Sequence, residues 1–134
     1  MKHHSHQACP CGSKKQYAHC CLPWHQGKIP PNAELLMRSR YSAYVLDLVD
    51  YIRATWHPST CPTDISVNPP QLKWLGLSIR QYRVISANEA NVEFVARSRL
   101  HGQAHRLHEI SRFVFEQQRW WYVDGQFPEP DTKV

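Results

Sequence analysis

Four of the chain's five cysteines fall within thirteen residues, Cys9-Pro10-Cys11-Gly12-Ser13-Lys14-Lys15-Gln16-Tyr17-Ala18-His19-Cys20-Cys21. Two knuckle cysteines stand one residue apart, and two adjacent cysteines close the set after an eight-residue interval. Zinc takes four soft ligands in a tetrahedron, so a short loop that brings two thiolate pairs together suits it. Gly12 has no Cβ and lets the chain turn back directly after Cys11, where a side chain would crowd the metal. A short helix over 14–21 presents the second pair. Cys9, Cys11, Cys20 and Cys21 are therefore read as the ligands of one structural zinc per chain. Four thiolates leave no open position for a water, which argues against a catalytic metal. His19 and His25 are the substitute ligands to check, because one of two adjacent cysteines can be left out.

Other uses of these thiols fit less well. Disulfides need an oxidising compartment, and the polar, histidine-rich residues 1–7 have no apolar run behind them to form a secretory signal. The chain is expected in the cytoplasm with its thiols reduced. A redox dithiol would be a Cys-x-x-Cys beside a βαβ unit, and neither is present. His3, His4 and His6 are too loosely placed to build a site. Cys61 stands alone in a loop without an evident base and is read as inert.

The cysteine stretch, Cys-Pro-Cys-Gly-Ser-x-x-x-Tyr-x-x-Cys-Cys, resembles the SEC-C motif, the zinc module at the C-terminus of the SecA preprotein translocase ATPase. That ATPase usually ends the ligand set with histidine, where this chain has Cys21. Further along, Arg40-Tyr41-Ser42-Ala43-Tyr44, Thr55-Trp56-His57-Pro58 and Glu109-x-Ser111-x-Phe113 resemble the bacterial YchJ family. The resemblance covers nearly the whole chain. It implies a SEC-C module joined to a domain similar to nuclear transport factor 2, in a family whose activity is uncharacterised.

With 134 residues, 42% of them hydrophobic, the chain can build one ordinary domain plus a small appendage. No apolar run approaches the ~20 residues that span a bilayer. The formal charge of +5 counts the cysteines as neutral. One Zn²⁺ with four thiolates takes two from that sum and leaves about +3, a mild bias towards an acidic partner.

In chain order, residues 1–25 form the zinc module and 26–32, rich in proline, a linker. Residues 33–134 form the larger domain. Asn32 is a good N-cap. From 33 to about 55 the apolar spacing is helical, with Met37, Tyr41, Tyr44, Val45, Leu48 and Ile52 on one face, so one long amphipathic helix is expected. Pro58 discourages helix at His57, which sets its end. A loop with a short helical turn near 70–74 follows. The period then changes to two over 77–86, 92–100, 105–116 and 119–124, separated by short polar turns at 87–91, 101–103 and 117–118. These runs predict an antiparallel meander, and the helix must bury its apolar face on the sheet's. The fold class is α+β. The resemblance makes it the cone-shaped fold of the nuclear transport factor 2 superfamily.

Glu109 falls among Leu107, Ser111 and Phe113 on the strand face that meets the helix. A carboxylate there needs hydrogen-bond donors or a shifted pKa. Tyr41, Arg40 and backbone groups are its candidate donors. His57 has two readings: a second pocket candidate facing Glu109, or, as is commoner for a His-Pro at a helix end, a cap. Three function classes follow. In the first, which is favoured, the chain is a protein-interaction adaptor: the zinc knuckle, with Lys14 and Lys15 beside it, docks an acidic protein partner. The translocase's own module contacts an export chaperone, which is what the resemblance implies here. In the second, the cone-shaped pocket binds or converts a small molecule with Glu109, His57, Tyr41 and Ser111. In the third, the knuckle and the arginines bind nucleic acid or the ribosome. The absence of an aromatic-plus-basic cluster speaks against sequence-specific reading.

Overall fold

Four strands, β1 (Lys73–Ser86), β2 (Glu89–Leu100), β3 (Gln103–Glu116) and β4 (Arg119–Gln126), lie in chain order in one antiparallel sheet. The computed structural model describes residues 6–65 and 68–128 and the backbone of 132–133. His3 and His4 lie outside these. The β2–β3 and β3–β4 hairpins each turn through two left-handed residues, His101-Gly102 (φ 52° and 79°) and Gln117-Gln118 (φ 53° and 65°). Two such residues in succession give a turn whose twist matches that of the flanking strands. The first turn, expected over 87–91, is tighter: Ser86 pairs with Glu89, leaving only Ala87 and Asn88 between the strands. The β1–β2 register shifts between Trp74 and Gly76, Ile79 and Gln81, and Val84 and Ser86; the β3–β4 register shifts between Arg112 and Phe113. Each shift bends a strand and raises its twist, which curves the sheet. A short β5 (Thr132–Lys133) pairs with His105 and Arg106 of β3.

The expected single helix over 33–55 is two helices, α2 (Ala33–Val45) and α3 (Val49–Ala54). The Asn32 side chain caps α2 by accepting from the Leu35 amide at 2.9 Å. At the other end Asp47 is left-handed (φ 59°), the Leu48 amide returns to the Ala43 carbonyl, and the Asp47 amide donates to Tyr44. That pair of bonds is a Schellman closure, with aspartate where glycine is commonest. Apolar periodicity runs across the break because α3 packs on the same core, so the pattern alone does not mark it. Near 70–74 the chain makes a turn at Gln71 (φ 69°) and passes directly into β1.

The cysteine segment has a 3₁₀ turn (Tyr17–His19) and a single-turn helix, α1 (Leu22–His25). Helix α2 is therefore covered on two sides. Ala33, Leu36, Met37 and Tyr41 pack against Val92, Phe94 and Phe113 of the sheet. Ser39, Ser42 and Ala43 are fully buried as well; Ser42 meets the cysteines, and Ser39 accepts a hydrogen bond from Tyr51 of α3 at 2.7 Å. Serines suit this second side, since small hydroxyl residues let the two segments approach and still satisfy buried polar groups. Among the described residues no helix is long and apolar enough to cross a membrane.

Candidate metal centre and ligand cavity

The first site is the cysteine cluster. Gly12 (φ 81°) and Lys14 (φ 72°) reverse the chain after Cys11, and Cys9 and Lys15 then bond through their backbones at 2.8 Å. The Sγ atoms of Cys9, Cys11, Cys20 and Cys21 all lie within 4.8 Å of one another. Cys11 and Cys20 are 3.5 Å apart and Cys20 and Cys21 4.0 Å. A tetrahedron with Zn–S arms of ~2.3 Å has edges of ~3.8 Å, so the donor set fits such an ion. Cys9, Cys11 and Cys21 are buried. Hydroxyls surround the sulfurs: Ser13 Oγ lies 3.0 Å from Cys20, and Ser42 Oγ lies 3.3 Å from Cys21 and 3.6 Å from Cys9.

The thiols compete for charge. Hydrogen bonds from Cys21 and Cys9 pull Cys11 far below the ordinary thiol range. The same bonds from the other side hold Cys21 well above it, and burial pushes Cys20 up to about 11. One thiolate sharing its neighbours' protons is what such a cluster supports alone; ionising all four requires a cation at the centre.

His25 is occupied elsewhere. Its Nε2 donates to the Ser39 carbonyl at 2.8 Å, which leaves Nδ1 to accept from the Tyr17 hydroxyl at 2.6 Å. Burial holds its pKa below the usual histidine value. His19 is exposed.

The second site is a cavity of about 220 Å³ between α2 and the concave face of the sheet. Met37, Arg40, Tyr41 and Tyr44 line it from α2, while Glu109 and Ser111 rise from β3 and Tyr122 from β4. Trp74 forms a wall: its Nε1 donates to Asn68 at 3.1 Å, and its ring meets Tyr41 edge-on. Trp56 forms the opposite wall. The segment that carries it is fastened to the edge of β4 by bonds from the Tyr122 amide to the Thr55 carbonyl and from the His57 amide to the Tyr122 carbonyl.

Alternation brings Glu109 to the interior, where it is 8% exposed. Its Oε2 accepts from Ser111 Oγ at 2.8 Å and from the Tyr122 hydroxyl at 2.9 Å. Tyr122 stays protonated, because burial and then the neighbouring carboxylate push its pKa above the ordinary phenol range. Gly125 makes room for this arrangement, since a Cβ there would overlap the Glu109 carboxylate. Tyr41 lines the same cavity, but the donors to Glu109 are Ser111 and Tyr122. His57, for which facing Glu109 is one of two sequence readings, is not in the cavity. Its Nε2 pairs with Glu116 at 2.9 Å and its Nδ1 with Ser59 at 2.7 Å, outside the sheet edge. The bond that fastens the His57 amide to Tyr122 turns Trp56 inward, and the next residue along an extended segment points the other way.

Arg40 is the residue that sequence reasoning undervalued. The sequence offers it only as a donor to Glu109. Instead its Nη1 donates to the Ile52 carbonyl at 2.9 Å and to Thr55 Oγ1 at 2.7 Å, and its guanidinium lies over the Tyr122 and Trp56 rings. Burial draws its pKa down, opposed by Tyr44, Tyr122, Tyr51 and Glu109, yet a guanidinium remains charged at neutral pH. The available signal was its place one turn after Leu36 and Met37 in an otherwise apolar helix face.

The family description "YchJ, middle NTF2-like domain" matches residues 32–125, and that of the SEC-C motif matches residues 7–23. The chain belongs to the YchJ family. A UPF0225 protein of Bordetella bronchiseptica is 54% identical over 130 residues, covering 93% of this chain and 98% of the relative. A UPF0225 protein of Methylibium petroleiphilum is 53% identical over 128 residues, covering 95% and 93%. Among solved structures, a SEC-C motif protein of Rhodopseudomonas palustris superposes with a TM-score of 0.79 at 30% identity, covering 92% of this chain and 100% of that one. One from Psychrobacter arcticus gives 0.76 at 28%, covering 96% and 86%. The SEC-C match spans all four cysteines, and the YchJ match spans the residues that line the cavity.

Proposed function

We propose that this YchJ-family chain is a small-molecule-binding protein, and that its cysteine cluster holds one structural zinc. The observation that carries the reading is the cavity. It is walled by aromatic rings, and a few polar groups, Arg40, Glu109 and Tyr122, converge on it. That combination is the usual form of a ligand site. The zinc reading rests on a donor set that closes a tetrahedron. The cluster's contacts with α2 give the metal a task, which is to brace the helix that carries Arg40 and Tyr41. Glu109, bonded to two neutral donors and held against Gly125, acts as an acceptor that positions Tyr122.

Thermal-shift screening of a fragment library against the zinc-loaded protein and an Ala96→Leu variant tests this. Ala96 lines the cavity and is buried, so leucine there fills it. Hits on the native chain that vanish in the variant support the reading, whereas hits unaffected by the filling place binding elsewhere.

The adaptor reading keeps one specific support. Lys14 and Lys15 are exposed at the tip of the cysteine loop, with Lys14 left-handed, and offer two positive charges to an acidic protein partner. Reversing both charges leaves all four sulfurs in place and would abolish docking of such a partner without touching the cavity.

A further inference from the structure

One donor in the cavity wall has no acceptor, and the cation beside it has no anion. Trp56 Nε1 is buried without a hydrogen-bond partner. Buried indole N–H groups are nearly always paired, so an orphan in a cavity wall points to an acceptor that belongs there. Arg40 uses only Nη1 for its protein bonds. Among the described residues, no carboxylate lies within ion-pair distance of it. Glu109 is close enough for its charge to be felt, but its Oε2 is taken by Ser111 and Tyr122. The guanidinium is 5.2 Å from the centre of the Trp56 ring, and both residues line the cavity.

We infer that the cavity takes a small organic anion, a carboxylate on an apolar body about the size of one ring, with Arg40 and Trp56 Nε1 holding the carboxylate. This rests on the ligand-binding reading above and adds the ligand's charge and size. A buried cation without an ion-pair partner favours a charged acceptor over a neutral one. The Tyr41, Trp74 and Phe94 rings leave the rest of the space apolar. An apolar cavity of about 150 Å³ holds benzene, so about 220 Å³ holds one ring with a short acidic arm. It falls below the roughly 300–1,000 Å³ of larger ligand sites, which excludes nucleotides and extended cofactors.

The test uses the full-length, zinc-loaded, ¹⁵N-labelled protein and matched probes: benzoate, phenylacetate and 3-phenylpropionate, their primary amides, and benzylamine and phenethylamine. The indole N–H resonance of Trp56 is assigned from its loss in Trp56→Phe. At least one carboxylate should shift that resonance saturably, and its amide should bind at least tenfold more weakly. Trp56→Phe keeps the ring over Arg40 and should weaken the carboxylate on the order of tenfold, the effect of one charge-assisted hydrogen bond. Arg40→Lys keeps a charge but loses the planar fork and should weaken it further; a folded Trp56→Phe suffices if that variant does not fold. If amides bind as well as acids, or the amines bind best, with Trp74 and Trp56 responding, the anion inference is overturned and the ligand-binding reading stands. If no probe perturbs either indole, both are overturned.

Discussion

Ser42 Oγ, on α2, lies 3.3 Å from Cys21 Sγ and 3.6 Å from Cys9 Sγ, and so joins the cysteine cluster to the helix that forms the cavity's roof. Hydroxyls that donate to ligating thiolates orient them and offset their charge. Replacing such a partner typically lowers metal affinity by about 10–100-fold. Ser42→Ala is expected to do so in a competition titration against a chromophoric chelator. Unchanged affinity would mean the hydroxyl serves only as packing.

Removing the metal should then be felt beyond the cysteine loop. From its length the module would be expected to unfold alone, but Arg38 Nη1 donates to the Cys11 carbonyl at 2.9 Å and His25 binds the Ser39 carbonyl. On chelation, amide resonances of 6–25 should collapse to random-coil positions. Those of α2 and α3 should shift or broaden, and those of β2 and β3 should stay dispersed. An unmoved α2 would show that the loop is an independent appendage.

Glu109→Gln separates two roles for the carboxylate. Its hydrogen-bond partners are neutral hydroxyls, and glutamine still offers them an oxygen. The change should cost about 1 kcal/mol in urea denaturation. A loss of ~3 kcal/mol or more would mean that the carboxylate balances Arg40, leaving a stranded buried cation when removed. Gly125→Ala should be the worse of the two by about 1–3 kcal/mol, since its methyl overlaps the carboxylate.

His25 predicts a pH dependence. Burial lowers its pKa from the model-peptide value of 6.5, so the unfolded chain binds the proton more readily. The stability it contributes is complete above about pH 6.5 and is lost as pH falls below that value. His25→Gln removes the titration while keeping a donor for Ser39. With zinc saturating, the native chain should lose melting temperature between pH 7.5 and 5.5 faster than the variant. Equal slopes would remove His25 from the account.

Much of this arrangement was legible in the sequence for physical reasons. The cysteine spacing states its chemistry directly, because few other uses need four thiols in thirteen residues. Period-two runs mark strands, and alternation alone sent Glu109 inward. The break at Asp47 is not legible in the sequence, because aspartate tolerates the left-handed region without announcing it as glycine would. The sequence leaves His57 between pocket and cap because the turn of one residue in the Thr55–His57 segment depends on backbone bonds to Tyr122, sixty-odd residues away. The pairing of Trp56 with Arg40 is tertiary in the same sense. Neither residue's local pattern says that the two will meet.

The central claim, that the cavity between Trp56 and Trp74 is the working site, is tested most directly by a crystal structure of the zinc-loaded chain with the tightest-binding carboxylate of the panel at saturating concentration. The account predicts electron density for the ring among Tyr41, Trp74 and Phe94, with the carboxylate against Arg40 and Trp56 Nε1. The same ligand found on the cysteine loop or the outer face of the sheet, with none between the two tryptophans, would contradict it.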